Sequence, residues 1–455
     1  MYFDRRHFKA ISAISVPMIL SNITVPLLGL VDTAVVGHLD HSYYLGGVAI
    51  GSTVISFIFW LAGFLRMSTT GMVAQSMGRQ DYHHAVQIWC NSALLGMGIA
   101  VVMLALQYPI WLLADKLAGA DSTVAHYAHV YYQIRIWGAP AALLHYSTLG
   151  CLLGMKRARF PMILLIVMNV INISLDVTFV MGFHWGVAGA AIASLIADYA
   201  GAFLGIWFLV RLWRQHGQNL WPSFHRAVFH LDKMWELLRL NRDIFLRTLS
   251  LQLCFSFVTF EGAKLGTVIV ATNAVLMNFM MFASYALDGI AFSVEALAGD
   301  AYGRNNRHEF HRCIMHCLFL GGIASILFSC MYGLFGDHIV ALLTSIPSIR
   351  QSAQIYLPWL VVMPVLAVWS YIFDGVYVGV TQGRVMRNGM LISTFLIFFP
   401  VWWLTRSLEN HGLWLALSCF MIARGGTLIF HYALYGKNWF KNSATISSSA
   451  SIKNS

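Results

Sequence analysis

Long apolar runs, separated by short polar segments, follow one another along the whole chain. Each run is about as long as the roughly 20 mostly apolar residues that an α-helix needs to cross a bilayer. The pattern therefore predicts transmembrane helices. We place twelve of them, near residues 9–36, 46–74, 84–112, 127–153, 160–182, 187–210, 243–266, 268–300, 312–343, 352–381, 388–406 and 411–436.

An internal repeat with an offset of 225 residues relates the two halves of this pattern. Because each half has an even number of helices, both halves enter from the same side of the membrane, and an axis along the membrane normal should relate them. The predicted fold class is all-α integral membrane, with twelve transmembrane helices in two pseudo-twofold related six-helix lobes and a central cleft. The matching pairs are Gly78 with Gly303, Arg79 with Arg304, Gly150 with Gly375, Gly154 with Gly379, Arg159 with Arg384 and, after a slip of one residue, Gly186 with Gly412.

Four segments follow from this division. We expect an N-lobe at 1–210, a basic cytoplasmic linker at 211–243, a C-lobe at 244–436 and a disordered cytoplasmic tail at 437–455. The end of the chain is Ser-rich and polar, which is typical of disorder. The first apolar run is long and shows no small-residue cleavage site, so we expect the first helix to be retained.

The composition is that of a membrane protein. Apolar residues make up 58% of the chain and charged residues only 11%, against roughly 25% charged in a typical soluble domain. The net charge of +10 has a membrane explanation, because Lys and Arg gather in cytoplasmic loops. No basic run is mixed with exposed aromatic residues, so we expect no nucleic acid partner.

The basic residues also predict the orientation. If the N-terminus, the ends of the even-numbered helices and the C-terminus share one side, that side holds 22 of the 29 Lys and Arg residues. This bias places both termini in the cytoplasm. We expect a multi-pass protein of the bacterial inner membrane that acts as a monomer.

Cysteine and histidine suggest neither a disulfide framework nor a metal site. The seven cysteines lie in apolar segments or at their basic ends, as is typical of reduced thiols. The group His308, His311, Cys313, His316 and Cys317 lacks the paired spacing of a zinc site. We expect no metal and no cofactor.

The first candidate site lies in the N-lobe, because ionisable residues within transmembrane helices are costly and usually functional. Asp32 lies in a helix that also contains Pro17 and Pro26, and each proline can bend that helix. Asn172 and Asp176 are four residues apart and share a helix face. A carboxylate beside an amide can hold a proton or Na⁺. The alternative for both groups is hydrogen bonding that only holds helices together.

Asp198 follows Ser194 by one helical turn and could complete the same polar pocket. A structural role for Asp198 is an open alternative. Glu261 can reach Lys264 at the next turn, which favours a structural ion pair there.

The second half has its own polar and aromatic stripe. Tyr285, Asp288 and Glu295 share one helix, and Tyr371 and Asp374 share another. Surfaces that combine aromatic residues, methionine and carboxylates can bind a lipophilic cation. We regard these five residues as second-lobe candidates, with packing as the alternative.

At these residues the sequence resembles the DinF branch of the MATE (multidrug and toxic compound extrusion) family. The resemblance runs through both halves. It rests on VPLLGLVDTAVVGHLD in helix one, LRMSTTGMVAQSMG in helix two, NVINISLDV in helix five, LNRDI and LQLCF in helix seven, and YALDGIAFSVEALAGDAYG in helix eight.

The resemblance implies a two-lobe antiporter that expels amphipathic, often cationic compounds in exchange for H⁺ or Na⁺. It assigns cation or proton coupling to Asp32, Asn172, Asp176 and Ser194, and helix bending to Pro17. The NorM branch also uses a helix-seven glutamate. Glu261 lies too far along its helix to match that residue, which leaves Asp374 as the one matching acid in the second lobe.

The predicted function is therefore secondary active multidrug efflux by alternating access. Protonation of N-lobe carboxylates would bend helix one near Pro17 and Pro26 and release the substrate. The alternative is a lipid or lipid-linked precursor flippase, which needs a cationic cleft, whereas Arg66, Arg135 and Arg424 are scattered. A membrane-embedded enzyme is disfavoured because no D-x-x-D or D-x-x-x-D motif occurs in the predicted helices.

Overall fold

The structure is a computed structural model that describes residues 5–37, 42–119, 121–218 and 232–440, with side chains described for 7–24, 43–119, 121–218 and 237–440. These parts of the chain are almost entirely helical. The helices are α1 (Arg5–Gly37), α2 (Ser42–Leu61), α3 (Phe64–Gly78), α4 (Tyr82–Ala105), α5 (Gln107–Ala118), α6 (Ser122–Arg135), α7 (Ala139–Gly154), α8 (Arg159–Asp176), α9 (Gly186–Gln215), α10 (Asp232–Lys264), α11 (Thr267–Gly303), α12 (Arg307–Leu343), α13 (Pro347–Gly379), α14 (Gly383–Leu391), α15 (Phe399–Thr405) and α16 (Asn410–Tyr435).

Short segments of tighter or wider helix join several of these elements. Tight 3₁₀ turns occupy Ile136–Gly138, Arg406–Leu408 and Gly436–Phe440. Wider π-helical turns occupy Val177–Gly182, directly after α8, and Ile392–Phe398, between α14 and α15.

Eleven helical segments in the described part of the chain are long and apolar enough to cross a membrane. Helix α1, with 33 residues, precedes them, so the described part of the chain has twelve long helical segments. The predicted class of all-helical membrane protein is therefore confirmed. The eleven segments are Tyr43–Gly78, Tyr82–Ala105, Ser122–Gly154, Arg159–Gly182, Gly186–Gln215, Leu237–Lys264, Thr267–Gly303, Arg307–Leu343, Pro347–Gly379, Gly383–Leu408 and Asn410–Phe440.

The chain divides into two compact units. The first unit is Leu20–Arg239, and the second unit is Met1–Ile19 together with Leu240–Ser455. The division cuts α1 just after Pro17. The part of α1 before the cut packs in the second unit, where the Ser293 hydroxyl donates to the carbonyl of Ile11 over 3.2 Å. The domain boundaries given above stay a prediction, and they did not anticipate this division of α1.

The 225-residue repeat reappears in the backbone. Six non-glycine residues in the described part have positive φ, and they form three pairs at this offset. Two helix N-caps also match, because Asp81 accepts from the amide of His84 and Asn306 accepts from the amide of Glu309. The backbone pairs are Gln80 with Asn305, Lys156 with Thr381, and His184 with Glu409.

The repeated glycines are sites of close helix packing. A Cβ atom on Gly150 would lie 2.5 Å from the carbonyl oxygen of Arg66, and one on Gly375 would lie 2.8 Å from the carbonyl oxygen of Ala291. The two carbonyls are themselves 225 residues apart. The sequence repeat thus preserves a backbone-to-backbone contact that only glycine permits in each unit.

We expect Gly150→Ala to lower the free energy of unfolding by about 1–3 kcal/mol, the usual effect of overpacking. Its Cβ would meet backbone, which cannot rotate away, so α3 and α7 must separate. Thermal unfolding of the purified protein in detergent measures the change. Gly98→Ala is the matched control because nothing lies within 4 Å of its Cβ position. Equal unfolding temperatures for the two variants would show that the close contact is not essential.

Candidate functional site

The first candidate site lies on the buried side of α8. The buried residues of this helix are Pro161, Leu164, Asn172 and Asp176. Asn172 is 3% exposed and Asp176 only 1%, although most of the segment Arg159–Gly182 faces outward. The amide and the carboxylate therefore face the protein interior rather than lipid, and they lie on one helix face as their spacing predicted.

Helix α9 supplies a third polar residue, Ser194, beside Asn172 and Asp176. The Asn172 amide donates to the hydroxyl of Ser194 over 3.0 Å. Asp176 is the last residue of α8, and the π-helical turn Val177–Gly182 follows it directly. Such turns occur often at functional sites. We refer to Asn172, Asp176 and Ser194 as the α8–α9 polar group.

Two predicted site residues lie outside the part described. The side chains of Asp32 and Pro26 are in the undescribed stretch of α1, so their roles stay predictions. Pro17 is described and half-buried, two residues before the point where α1 passes from the second unit to the first. Its predicted bending role also stays a prediction.

Asp198 lies one turn beyond Ser194 on α9 and forms an ion pair. Its Oδ2 accepts from Nη1 of Arg135 on α6 over 2.6 Å, and both side chains are mostly buried. The guanidinium also lies 6.0 Å from the centre of the Phe59 ring. In the sequence, Arg135 is one of several scattered arginines. The two residues are 63 positions apart, so no local spacing could have paired them.

In the second unit, Asp374 is held between two arginines. Arg247 on α10 and Arg424 on α16 both donate to the same carboxylate oxygen, with the Nε of Arg424 at 3.1 Å. All three residues are at most 7% exposed. Two positive charges share one negative charge, which makes this carboxylate unsuited to attract a cationic ligand. The contact favours a structural ion bridge across three helices over the cation-binding role considered above.

The other second-unit candidates surround this ion bridge. The Tyr371 ring lies 5.2 Å from the guanidinium carbon of Arg424, and its hydroxyl shares a hydrogen bond with Ser284. Asp288 interacts electrostatically with both arginines and with Tyr285. Glu295 is 3% exposed. The predicted ion pair between Glu261 and Lys264 is confirmed, with 2.5 Å between Oε1 and Nζ.

The ion pairs Arg135–Asp198 and Arg424–Asp374 lie on equivalent transmembrane spans of the two repeats, but the acid and the base are exchanged. In the first unit the base, Arg135, is on the fourth span and the acid, Asp198, is on the sixth. In the second unit the acid, Asp374, is on the fourth span of its repeat, and the base, Arg424, is on the sixth. The two repeats have therefore kept a common packing and taken different charges.

Among the described residues, no group of three or more His, Cys, Asp and Glu side chains is arranged to hold a metal ion.

Three comparisons with known proteins bear on this arrangement. A family model described as MatE matches residues 17–178 and again residues 244–404, which confirms that the two halves are repeats. DNA damage-inducible protein F of Escherichia coli (strain K12) is 44% identical over 436 residues, which is 95% of this chain and 92% of that protein.

Solved structures share the fold. A crystal structure of MATE in the bent conformation superposes with a TM-score of 0.84 at 21% identity, covering 96% of this chain and 97% of that one. The outward-facing conformation of a multidrug resistance MATE family transporter of the MOP superfamily gives a TM-score of 0.81 at 21% identity, covering 95% and 96% of the two chains.

Proposed function

The chain belongs to the MatE family of membrane transporters, in the branch of DNA damage-inducible protein F, and from this premise we propose that it is a secondary active multidrug efflux antiporter. It exports amphipathic and cationic compounds in exchange for H⁺, with Na⁺ as the alternative coupling ion, by alternating access. It acts as a monomer in the bacterial inner membrane, with both termini in the cytoplasm. The buried α8–α9 polar group is the observation that supports this proposal most directly.

Burying these polar groups in a membrane helix costs free energy. A carboxylate at the centre of a membrane helix costs roughly 2.5–3.5 kcal/mol on insertion scales. Asp176 lies at 1% exposure in such a helix, beside a neutral amide and a hydroxyl. Oxygen atoms from Asp176, Asn172 and Ser194 can bind a proton or a cationic group.

Competition for this group is the proposed coupling step. Facing the cytoplasm, the ionised carboxylates of Asp176 and Asp32 attract a cationic substrate. Facing outward, they take up H⁺, because burial disfavours the charged form of a carboxylate. The neutral site no longer holds the substrate, which leaves to the outside.

Helix α1 is the proposed moving element. The second unit holds its first part, since the Ser293 hydroxyl bonds the carbonyl of Ile11 and Gly289 leaves room for Ile19. The rest of α1, which carries Asp32, is grouped with the first unit. A bend near Pro17 and Pro26 would therefore change the position of Asp32 while the anchored part stays in place.

In this proposal, proton binding supplies enough free energy to shift the conformational equilibrium. Moving an equilibrium from 1:99 to 99:1 needs about 5.5 kcal/mol. A carboxylate whose pKa differs by about three units between two conformations supplies about 4 kcal/mol per proton. One carboxylate is nearly enough and two are ample.

Transport in proteoliposomes under separately imposed gradients tests the proposal. A pH gradient alone should drive movement of a fluorescent lipophilic cation against its own gradient, and substrate addition should evoke counter-movement of protons. A Na⁺ gradient alone should drive much less. Transport that neither gradient drives would overturn the proposal, and gradient-independent movement of lipid would favour the flippase alternative.

A further inference from the structure

The fourth span of each repeat carries an irregularity at the same position. In the first unit, α6 ends at Arg135, a 3₁₀ turn occupies Ile136–Gly138, and α7 begins at Ala139. At the 225-residue offset, Arg135 corresponds to Leu360 and Ala139 corresponds to Pro364, which lies inside α13. A tight turn in one unit and a proline in the other therefore occupy equivalent points of equivalent helices.

The turn in the first unit changes which backbone groups bond. In a continuous α-helix, the amide of Ala139 would donate to the carbonyl of Arg135. It donates to the carbonyl of Ile136 instead. The usual donor to Ile136 would be residue 140, which is Pro140 and has no amide hydrogen. The turn thus replaces one helical bond and leaves the carbonyl of Arg135 without its own.

The proline in the second unit releases the equivalent carbonyl. Pro364 has no amide hydrogen, so the carbonyl of Leu360 does not receive the bond that residue 364 donates in a regular α-helix. Leu360 is the counterpart of Arg135 at the 225-residue offset. Helices bend most readily where such a bond is missing. Both fourth spans are therefore weakened at the same point by different local means.

A cavity lies beside this point in the second unit. Residues on both sides of the missing bond form its wall on α13, and α11 and α12 form the facing walls. None of the described residues that line it is charged, so the cavity is unsuited to a cationic ligand. It does leave α13 space to tilt toward α11 and α12. The lining residues used here are Leu360, Met363, Pro364 and Ala367 of α13, Ala283 of α11 and Tyr332 of α12.

The part of α13 after Pro364 is held by its backbone. A Cβ on Gly379 would lie 2.9 Å from the carbonyl oxygen of Glu295 on α11, and one on Gly425 of α16 would lie 3.0 Å from the amide nitrogen of Ser370. The ion bridge of Asp374 adds buried links to α10 and α16. Rotation of a side chain cannot relieve backbone contacts, so this part of α13 is fixed to its neighbours.

The part of α13 before Leu360 is held by side chains instead. Nε1 of Trp359 donates to Nδ1 of His411 on α16 over 3.1 Å. Nε of Arg350 donates to the carbonyl of Thr344, just after α12, over 2.7 Å. Side chains can change rotamer, so this part of α13 can tilt together with the end of α12.

We propose that α13 bends at Leu360–Pro364, so that its first part tilts into the adjoining cavity while the ion bridge of Asp374 holds its last part. The first unit contains the equivalent hinge at Ile136–Gly138. These hinges belong to the fourth span of each repeat and are separate from the bend of α1 near Pro17 and Pro26.

The consequence for transport rests on the proposed antiport function. With both termini in the cytoplasm, the first part of α13 lies in the outer half of the membrane. Its tilt would open or close the outer side of the second unit and leave the inner side unchanged. The bend itself does not depend on transport, so the two can be tested apart.

Distances between spin labels in lipid nanodiscs test the bend. One label at Ile355→Cys, exposed on the first part of α13, is paired with a reference label at the exposed Leu396→Cys. Cys330→Ser and Cys419→Ser remove the two native cysteines that are not buried. Spectra with and without a lipophilic cation, at acidic and at neutral pH, should give two distances, within one sample or between samples. One distance common to all samples would overturn the proposal.

A second pair of labels separates a bend from movement of the whole helix. Trp369→Cys is exposed on the part of α13 after Pro364, and with the same reference label at Leu396→Cys it should give one distance in all samples. If both label pairs changed together, α13 would move as a rigid rod, and the hinge would be excluded.

Two proline variants locate the hinge. Pro364→Ala restores the missing amide, so the pair at positions 355 and 396 should lose its second distance. Pro358→Ala is the matched control because Pro358 also lies inside α13 but is exposed and does not line the cavity. It should keep both distances. Retention of both distances in Pro364→Ala, or their loss only in Pro358→Ala, would overturn the proposal.

Transport assays on the same protein keep the two proposals apart. If the first label pair gives two distances but no ion gradient drives transport, the antiport proposal fails and the hinge stands. If a pH gradient drives transport while this pair gives one distance, the hinge fails alone.

Discussion

Asp176→Asn should reduce gradient-driven export of a lipophilic cation by roughly 10- to 100-fold, because a hydrogen bond to a charged group contributes about 1.5–3 kcal/mol. The amide has nearly the same volume and can still bond within the polar group, so the fold should be retained. It carries no negative charge and cannot exchange a proton in the relevant range. Uptake into proteoliposomes under an imposed pH gradient measures the loss.

Glu261→Gln is the matched control for Asp176→Asn. It also replaces a carboxylate by an amide within a transmembrane helix, but Glu261 pairs with the exposed Lys264. Exposed ion pairs contribute only about 0–1 kcal/mol. The control should transport at close to the wild-type rate. Full transport by Asp176→Asn would remove this residue from the coupling step.

Asp374→Asn should destabilise the protein strongly. Breaking a buried ion pair by removing one partner costs about 3–5 kcal/mol, because the remaining charge is left uncompensated. Here two buried guanidinium groups, of Arg247 and Arg424, lose the negative charge that they share. We expect a much lower unfolding temperature in detergent and less folded protein in the membrane.

The Asp374→Asn variant distinguishes a structural role of this carboxylate from a role in transport. Asp374→Asn with wild-type thermal stability and no transport would mean that this carboxylate acts in coupling instead. Replacing Glu261 by Gln in the same assay should change the unfolding temperature little, because its partner Lys264 is exposed and can be solvated. A large stability loss confined to Asp374→Asn identifies the ion bridge as structural.

Features with a regular spacing along the chain could be predicted from the sequence. The twelve apolar runs gave the spans, and the 225-residue offset located Gly150 and Gly375, which prove to occupy equivalent backbone contacts. Asn172 and Asp176 were found because an interval of four residues places them on one helix face. Each of these signals depends on local geometry that a sequence displays directly.

Contacts between distant positions could not be predicted. Arg247 and Asp374 are 127 residues apart. Because Arg247 follows a basic segment, the sequence predicts that it lies with the cytoplasmic Lys and Arg residues. The structure instead buries it on α10 against α13 and α16. The spacing predicts that Asp198 joins Ser194 in one polar pocket, whereas its ion-pair partner, Arg135, lies on another helix. No local sequence pattern distinguishes an acidic residue that is available to bind a ligand from one that is already paired with a basic residue.

The central claim is that a proton and a cationic substrate compete for the same buried carboxylates. Binding of a fluorescent lipophilic cation to the purified protein, measured as Kd between about pH 5 and pH 8, tests it most directly. Competition with one proton predicts that, in the acidic part of this range, Kd rises about tenfold for each unit by which the pH falls, since linked binding equilibria are reciprocal. The double variant Asp32→Asn with Asp176→Asn should bind weakly and lose most of this dependence. A Kd that is constant with pH in the wild type, or an equally steep dependence in the double variant, would contradict the account.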